Sequence, residues 1–311
     1  MKKFKEMKIG EDVTFFALVE ALQKRYTPNK SAYYSVTVTD GDISIDARVW
    51  DVTLIEKINV SIGKVYYFTA HINEYMNKKQ FVINSIREAE ENEVNMKNFV
   101  KAAPIPEEQI RVGIKEYIKK IENEILRKLV IHIINTISRE YFTYPGAMSM
   151  HHAYSSGLAY HTYSMLILAE KLLEIYPGMN SDLLYAGALL HDIGKVRELS
   201  GINSPTYTTE GNLLGHIVMG IQMISVAAAE LKVEDSEEVL TLLHLIASHH
   251  GELEFGSPKE PTMMEAYALH LVDLTDSKLA AISPAVVKTE KGQLTEPVNS
   301  LGRKGLYVPK L

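Results

Sequence analysis

Leu189-Leu190-His191-Asp192-Ile193-Gly194-Lys195 is the stretch on which the reading of this chain turns. An apolar run from Tyr185 to Leu190 leads into adjacent His and Asp, then a Gly that lets the chain turn, then a Lys. Imidazole and carboxylate are both ligands for first-row divalent metals. Adjacent residues on a helix point about 100° apart, so one ion uses both only near a helix end or with partners from elsewhere. Taken alone, the pair is more simply a capped helix end with a solvated Asp. The rest of the chain decides against that.

The histidines follow a pattern. His161 heads an amphipathic helix marked by Tyr163, Leu166, Ile167, Ala169, Leu172 and Leu173. His216 heads another helical stretch, and His249-His250 end a third, Val239 to Ser248, just before Gly251. Asp273 and Asp276 stand among apolar residues at helical spacing. His or Asp thus falls at the end of helix after helix, in the order H…HD…H…HH…D. Such groups rarely sit against apolar helix faces without partners. His151 and His152 either line the same site or pack beneath it. His244 and His270 lie on apolar helix faces and read as core or rim residues. His132 and His71 are not ligand candidates.

The 311 residues suit two domains, and 46% hydrophobic composition is enough for real cores. There is no cysteine, which excludes disulfides and thiolate zinc sites and fits a reducing compartment. Met1-Lys2-Lys3 leads into no apolar signal core, and no apolar run reaches ~18 residues, so a soluble, cytoplasmic protein without a membrane partner is expected. The net charge of −6 argues against a sequence-blind grip on duplex DNA, though not against a local basic groove.

Residues 1–90 read as β. Strands are expected over Asp12 to Lys24, Ala32 to Thr39, Ile43 to Trp50, Val65 to Ile72 and Phe81 to Ile86. Asp40-Gly41 reads as a two-residue hairpin, and Asp51 to Ile58 as a short helix. Three strands, a helix and two strands is the order of an OB-fold. Alternation puts Tyr34, Val36, Val38, Ile43, Ile45, Ala47 and Val49 on the inner face. Tyr33, Ser35, Thr37, Arg48 and Trp50 fall on the other, the surface with which OB-folds take single strands. Tyr33, Arg48 and Trp50 are therefore the candidate nucleic-acid contacts. Against this stands a packing role, with Trp50 closing the barrel and Tyr33 against a neighbouring domain.

Glu88 to Asn98 is polar and acidic, a linker or a connecting helix; Pro104 and Pro106 then mark a boundary, and residues 91–106 are taken as the linker. Residues 107–287 form an all-α bundle, with Glu107-Glu108 placing acid in a first helical turn. Two loops interrupt it, Glu198 to Asn212 and Glu252 to Pro261. Both flank ligand candidates and are candidate substrate walls. Residues 288–311 read as a tail that docks on a neighbouring subunit or stays mobile.

On these residues the helical part resembles the HD superfamily of metal-dependent phosphohydrolases. The minimal motif maps onto His161, His191, Asp192 and Asp273, and His216, His249 and His250 match the pattern of two-metal members. The resemblance implies one ion on His161, His191, Asp192 and Asp273, and a second on Asp192 as a bridge with His216, His249 and His250. It gives catalytic roles to Asp192 and to Lys195, which would hold a scissile phosphate oxygen. Two such ions activate water and neutralise charge in an in-line phosphoryl transfer, and a mobile Lys charge suits phosphate.

A barrel followed by this bundle narrows the resemblance to the YhaM-type 3′→5′ exoribonucleases of Gram-positive bacteria. It covers nearly the whole chain and rests on runs such as His151-His152-Ala153-Tyr154, Leu190-His191-Asp192-Ile193-Gly194-Lys195, Leu214-Gly215-His216 and Ser248-His249-His250-Gly251. The chain departs from that family's pattern at Ser156, where the family has Gly, and at Tyr160, where it has an acidic residue. The resemblance implies a manganese-stimulated nuclease that shortens single-stranded RNA, or DNA, from the 3′ end, and a homo-oligomer. Iron, nickel, cobalt or zinc would suit the same His and carboxylate donors. Two other readings stay open: a small-molecule phosphodiesterase or nucleotidase that uses the barrel for assembly, and a non-catalytic nucleic-acid-binding factor.

Overall fold

The structure, a computed structural model, describes residues 2–75, 78–90, 92–95, 98–99, 103–147, 154–201, 205–298 and 301–311. The chain divides into two compact units: Met1–Ala102 with Asn203–Pro205, and Ala103–Ile202 with Thr206–Leu311.

The first unit is a closed barrel of β1 (Asp12–Tyr26), β2 (Ala32–Thr39), β3 (Ser44–Val49), β4 (Val65–Tyr75) and β5 (Lys78–Glu88), with α1 (Val52–Ile58) between β3 and β4. The strand order is β1-β2-β3-β5-β4, with β3 and β5 parallel and the remaining neighbours antiparallel. This is the OB-fold arrangement expected from the strand order. The long β1 closes the barrel by pairing with β4 through its first half and with β2 through its second. Val36, Val38, Ala47 and Val49 are buried in the core, as the alternation requires. Phe15 and Phe68 stack inside with ring centroids 5.5 Å apart. Asp51 caps α1 by accepting a hydrogen bond from the Thr53 N–H.

One local expectation is corrected. The β2–β3 connection is the four residues Asp40 to Ile43 rather than a two-residue turn. The buried Asp40 carboxylate accepts the N–H groups of Asp42 and Ile43 through Oδ1, and that of Phe4 through Oδ2. Ile43 consequently leaves the inner face and is exposed. Described residues just after β5 pack on barrel residues. Phe99 is buried with Leu18 and Val65, and Ala89 and Val94 pack beside them. The C-terminal tail carries antiparallel bridges of its own, Leu294 to Tyr307 and Val298 to Lys304.

The second unit is helical: α2 (Glu107–Lys120), α3 (Glu124–Thr136), α4 (Ser138–Thr143), α5 (Gly157–Ile175), α6 (Ser181–Leu190), α7 (Lys195–Glu198), α8 (Thr209–Leu231), α9 (Glu237–Ser248) and α10 (Met264–Lys288). Its apolar core runs through α2, α3, α5, α6, α8, α9 and α10, and α6 is buried on nearly every side. An all-round apolar helix belongs at the centre of a bundle. The α6 end that carries His191 and Asp192 is therefore held in the interior. Among the described residues, α8 has the length and hydropathy of a membrane-crossing helix, with a mean of 1.5. It also packs against α3, α7 and α9 and carries His216.

Candidate metal centre

Four helix ends and the middle of α10 deliver the site. His161 lies one turn into α5, and its start is set by Ser156 in the left-handed conformation, φ 62°. His191 ends α6, and His249 ends α9. His216 stands just after Gly215, whose φ of 71° and ψ of 161° break α8 so that the helix restarts at the histidine. Asp273 comes from α10.

These residues form two groups. The ligand atoms of His161, His191 and Asp273 lie within 4.8 Å of one another, and so do those of His216, His249 and His250. Asp192 stands between them. Its Oδ2 is 3.2 Å from His191 Nε2 and 3.9 Å from His161 Nε2, and its Oδ1 is 3.5 Å from His216 Nε2. One oxygen of a buried carboxylate thus addresses each group.

Every histidine of the two groups is held by Nδ1. His191 donates to the Ala188 carbonyl at 2.9 Å, His249 to that of Ile246 at 2.7 Å, and His250 to that of Phe255 at 2.7 Å. His161 Nδ1 meets Asp276 Oδ2 at 2.7 Å, and His216 Nδ1 meets Glu198 Oε1 at 3.1 Å. This fixes each ring and leaves Nε2 facing the site, the arrangement usual behind metal-bound imidazoles. Nε2 of His216 and of His249 is buried with no hydrogen-bond partner. A buried polar atom without a partner is costly, and a divalent ion on those two nitrogens would satisfy both. The residues present fit the group expected.

The electrostatics of the second group agree. Burial, with the neighbouring His191 and His250 rings, pushes His249 well below its ordinary range, and burial lowers His250 as well. Both shifts favour the neutral imidazole, the form that ligates metal. Burial would also lower His161, but hydrogen bonds to Asp273 and Asp276 outweigh it and raise it to about 9. Burial works against ionising Asp192, yet Lys195, His191 and His216 hold it well below the usual carboxylate range. Asp273 is lowered in the same way by His161.

Lys195 lies inside the site, with Nζ 2.6 Å from Asp192 Oδ2 and donating to the Gly146 carbonyl at 2.6 Å. The Gly before it is required by close packing rather than by a turn. Gly194 has ordinary helical angles, and a Cβ there would stand 1.9 Å from the His216 carbonyl oxygen. His244 and His270 lie outside the two groups. His244 Nε2 accepts from the Thr262 N–H at 3.0 Å, and His270 Nδ1 donates to the His249 carbonyl at 2.9 Å. His132 pairs with Glu230 and His71 with Asp12, away from the site. His151 and His152 lie outside the described residues.

Sequence reasoning missed the roles of Asp276 and Glu198. Asp276 had a signal, since three residues after Asp273 it shares that face of α10. Glu198 had none, because its contact depends on the break at Gly215.

On the barrel, Tyr33 and Trp50 come together with ring centroids 4.9 Å apart and planes tilted by 38°. The Arg48 guanidinium lies 5.8 Å from the Tyr33 ring centre and bonds the Ser35 hydroxyl. Trp50 is half exposed, at 50%, so it does not close the barrel core.

The HD domain family matches residues 158–280, a span that holds both histidine groups. The 3′-5′ exoribonuclease YhaM of Bacillus licheniformis is 39% identical over 302 residues, covering 97% of this chain and 96% of the relative. The chain belongs to the YhaM family. Solved structures align with part of the chain. The second OB-fold domain of replication protein A from Methanococcus maripaludis aligns at 16% identity and a TM-score of 0.24, over 29% of this chain and 95% of that one. A mitochondrial single-stranded DNA binding protein of S. cerevisiae aligns at 13% and 0.24, over 26% and 95%. Against the expected YhaM pattern, Ser156 takes in place of Gly a backbone angle that Gly adopts at no steric cost. Tyr160, in place of an acidic residue, packs 6.3 Å from the Tyr154 ring.

Proposed function

We propose that this protein is a metal-dependent 3′→5′ exoribonuclease that hydrolyses single-stranded RNA at a two-metal site. The observation that carries the reading is Asp192 between two histidine groups, with one oxygen toward each. His161, His191, Asp192 and Asp273 would hold one divalent ion, and Asp192, His216, His249 and His250 the other. Manganese is the first expectation, and the donors equally suit iron, nickel, cobalt or zinc. Bound there, such ions supply an activated water and offset the charge of an in-line phosphoryl transfer. The chain's own part is to keep five imidazoles fixed through Nδ1 and to exclude bulk water by burial. Lys195 adds a charge that leaves Asp192 for a phosphate oxygen of the substrate.

The Tyr33–Trp50 pair, flanked by Arg48, is the proposed strand contact. Stacking is worth ~1–3 kcal/mol per base and tolerates any sequence. A stacking face does not read the ribose 2′-hydroxyl, so single-stranded DNA is proposed as a second substrate. Membership of the YhaM family supports the RNA reading.

The test is a 5′-labelled single-stranded RNA incubated with metal-stripped protein, and again after manganese is returned. A ladder shortening from the 3′ end, present only with metal, is expected. Hydrolysis of dinucleotides but of no longer strand would overturn the reading in favour of a small-molecule phosphodiesterase.

A further inference from the structure

We propose that Glu198 is the positioning residue that installs His216 at the second metal position and so decides whether that position fills. The inference rests on the two-metal reading above. A helix that restarts leaves first-turn N–H groups without intrahelical acceptors, and a side chain at the cap normally takes one. Here the residue before the restart is Gly215, which has no side chain to offer. Glu198 supplies the acceptor from α7. Its single oxygen Oε1 accepts the His216 backbone N–H at 3.0 Å and its ring Nδ1–H at 3.1 Å. Backbone and ring are pinned by one atom, which sets both the side-chain direction and the tautomer. The bare Nε2 then points toward Asp192, 3.5 Å from Oδ1.

Glu198 is itself held. It is 8% exposed, and its carbonyl accepts the Thr208 N–H at 2.9 Å. A Cβ at Gly211 would stand 2.4 Å from the same carbonyl oxygen, so the start of α8 closes directly over it. His249 and His250 differ. They donate to carbonyls only three and five residues away, so their orientation follows from the local chain. His216 reaches back 18 residues to a carboxylate. It is the ligand of its group whose placement depends on a distant side chain. Asp276 does the same for His161 in the other group. Each ion position thus includes one carboxylate-backed imidazole, and removing such a partner commonly costs ~10–100-fold in metal affinity.

The experiment is titration of metal-free full-length protein with Mn²⁺, counting bound ions by elemental analysis and following them by electron paramagnetic resonance. The ring tautomer of His216 is read in parallel by ¹⁵N NMR of the metal-free protein. Wild type should take up two ions. Glu198→Ala should keep the first and bind the second ~10–100-fold more weakly, with the His216 tautomer mixed. Glu198→Gln keeps an acceptor oxygen and should restore the Nδ1–H tautomer and most of the second site. Should the Ala variant not fold, Glu198→Asp carries the test, because the charge remains but the reach is one methylene short. Loss of the second ion in Glu198→Asp supports the inference, and wild-type affinity there overturns it. Two ions at wild-type affinity in both the Ala and Gln variants would overturn it, as would equal loss in both. A wild type that takes up one ion would overturn the two-metal reading first.

Discussion

Replacing Gly194 by Ala tests the packing that places α7 against the restart of α8. The added Cβ would stand 1.9 Å from the His216 carbonyl oxygen, 2.7 Å from its carbon and 2.9 Å from the Gly220 nitrogen, all backbone atoms. A carbon and a carbonyl oxygen rest at roughly 3.3 Å, so the two backbones must part by more than about 1 Å. No side chain can absorb this by rotating. Overpacking of this kind costs ~1–3 kcal/mol. In a unit of this size that lowers the melting temperature by roughly 2–12 °C. The strain falls on His216, so the second ion should be lost before the first, and a misplacement of about 1 Å at a reacting centre can lower kcat ~10²-fold. Two substitutions calibrate the result. Gly178→Ala meets nothing within 4 Å and should be neutral. Gly187→Ala meets the movable end of Leu245 at 2.6 Å and should fall between. Thermal denaturation and metal counting on the three variants are the assays. A Gly194→Ala protein that melts with the Gly178→Ala protein and holds both ions would refute the reasoning.

Asp192→Ala removes the carboxylate that faces both groups and should lower bound metal at both positions, whereas His249→Ala should empty chiefly the second; elemental analysis separates them. Lys195→Ala, assayed with metal supplied, should lower kcat ~10²–10³-fold while metal content and KM stay near wild type; an unchanged kcat would leave Lys195 only its contacts to Asp192 and Gly146. Replacing Tyr33 and Trp50 together by Ala should raise KM for a long single strand at least ~10-fold, at ~1–3 kcal/mol per stacked base. The same double variant should turn over bis-p-nitrophenyl phosphate as wild type does. Equal use of long RNA by variant and wild type would assign the aromatic pair to some other contact.

The sequence by itself determined the two halves, their order and the candidate ligands. Period-two alternation in β2 and β3 placed Val36, Val38, Ala47 and Val49 inside the barrel. The recurrence of His and Asp at helix ends picked out the residues that the structure gathers into two groups around Asp192. These are local properties, since side-chain direction follows from the strand or helix period and donor chemistry from residue type. Asp40-Gly41 shows the limit of local reading. A strong two-residue turn signal became a four-residue connection in which the Asp40 carboxylate takes the N–H groups of Asp42 and Ile43 and also that of Phe4, 36 residues away. The tertiary structure alone decided what stands behind the candidate ligands. His161 and Asp276 are 115 residues apart and meet only because α5 packs on α10. Glu198 reaches His216 only because α8 breaks at Gly215, and Gly194 is required only because α7 lies against that break. Such contacts are set by how helices pack, and helix packing depends on the whole buried surface rather than on any one stretch of chain.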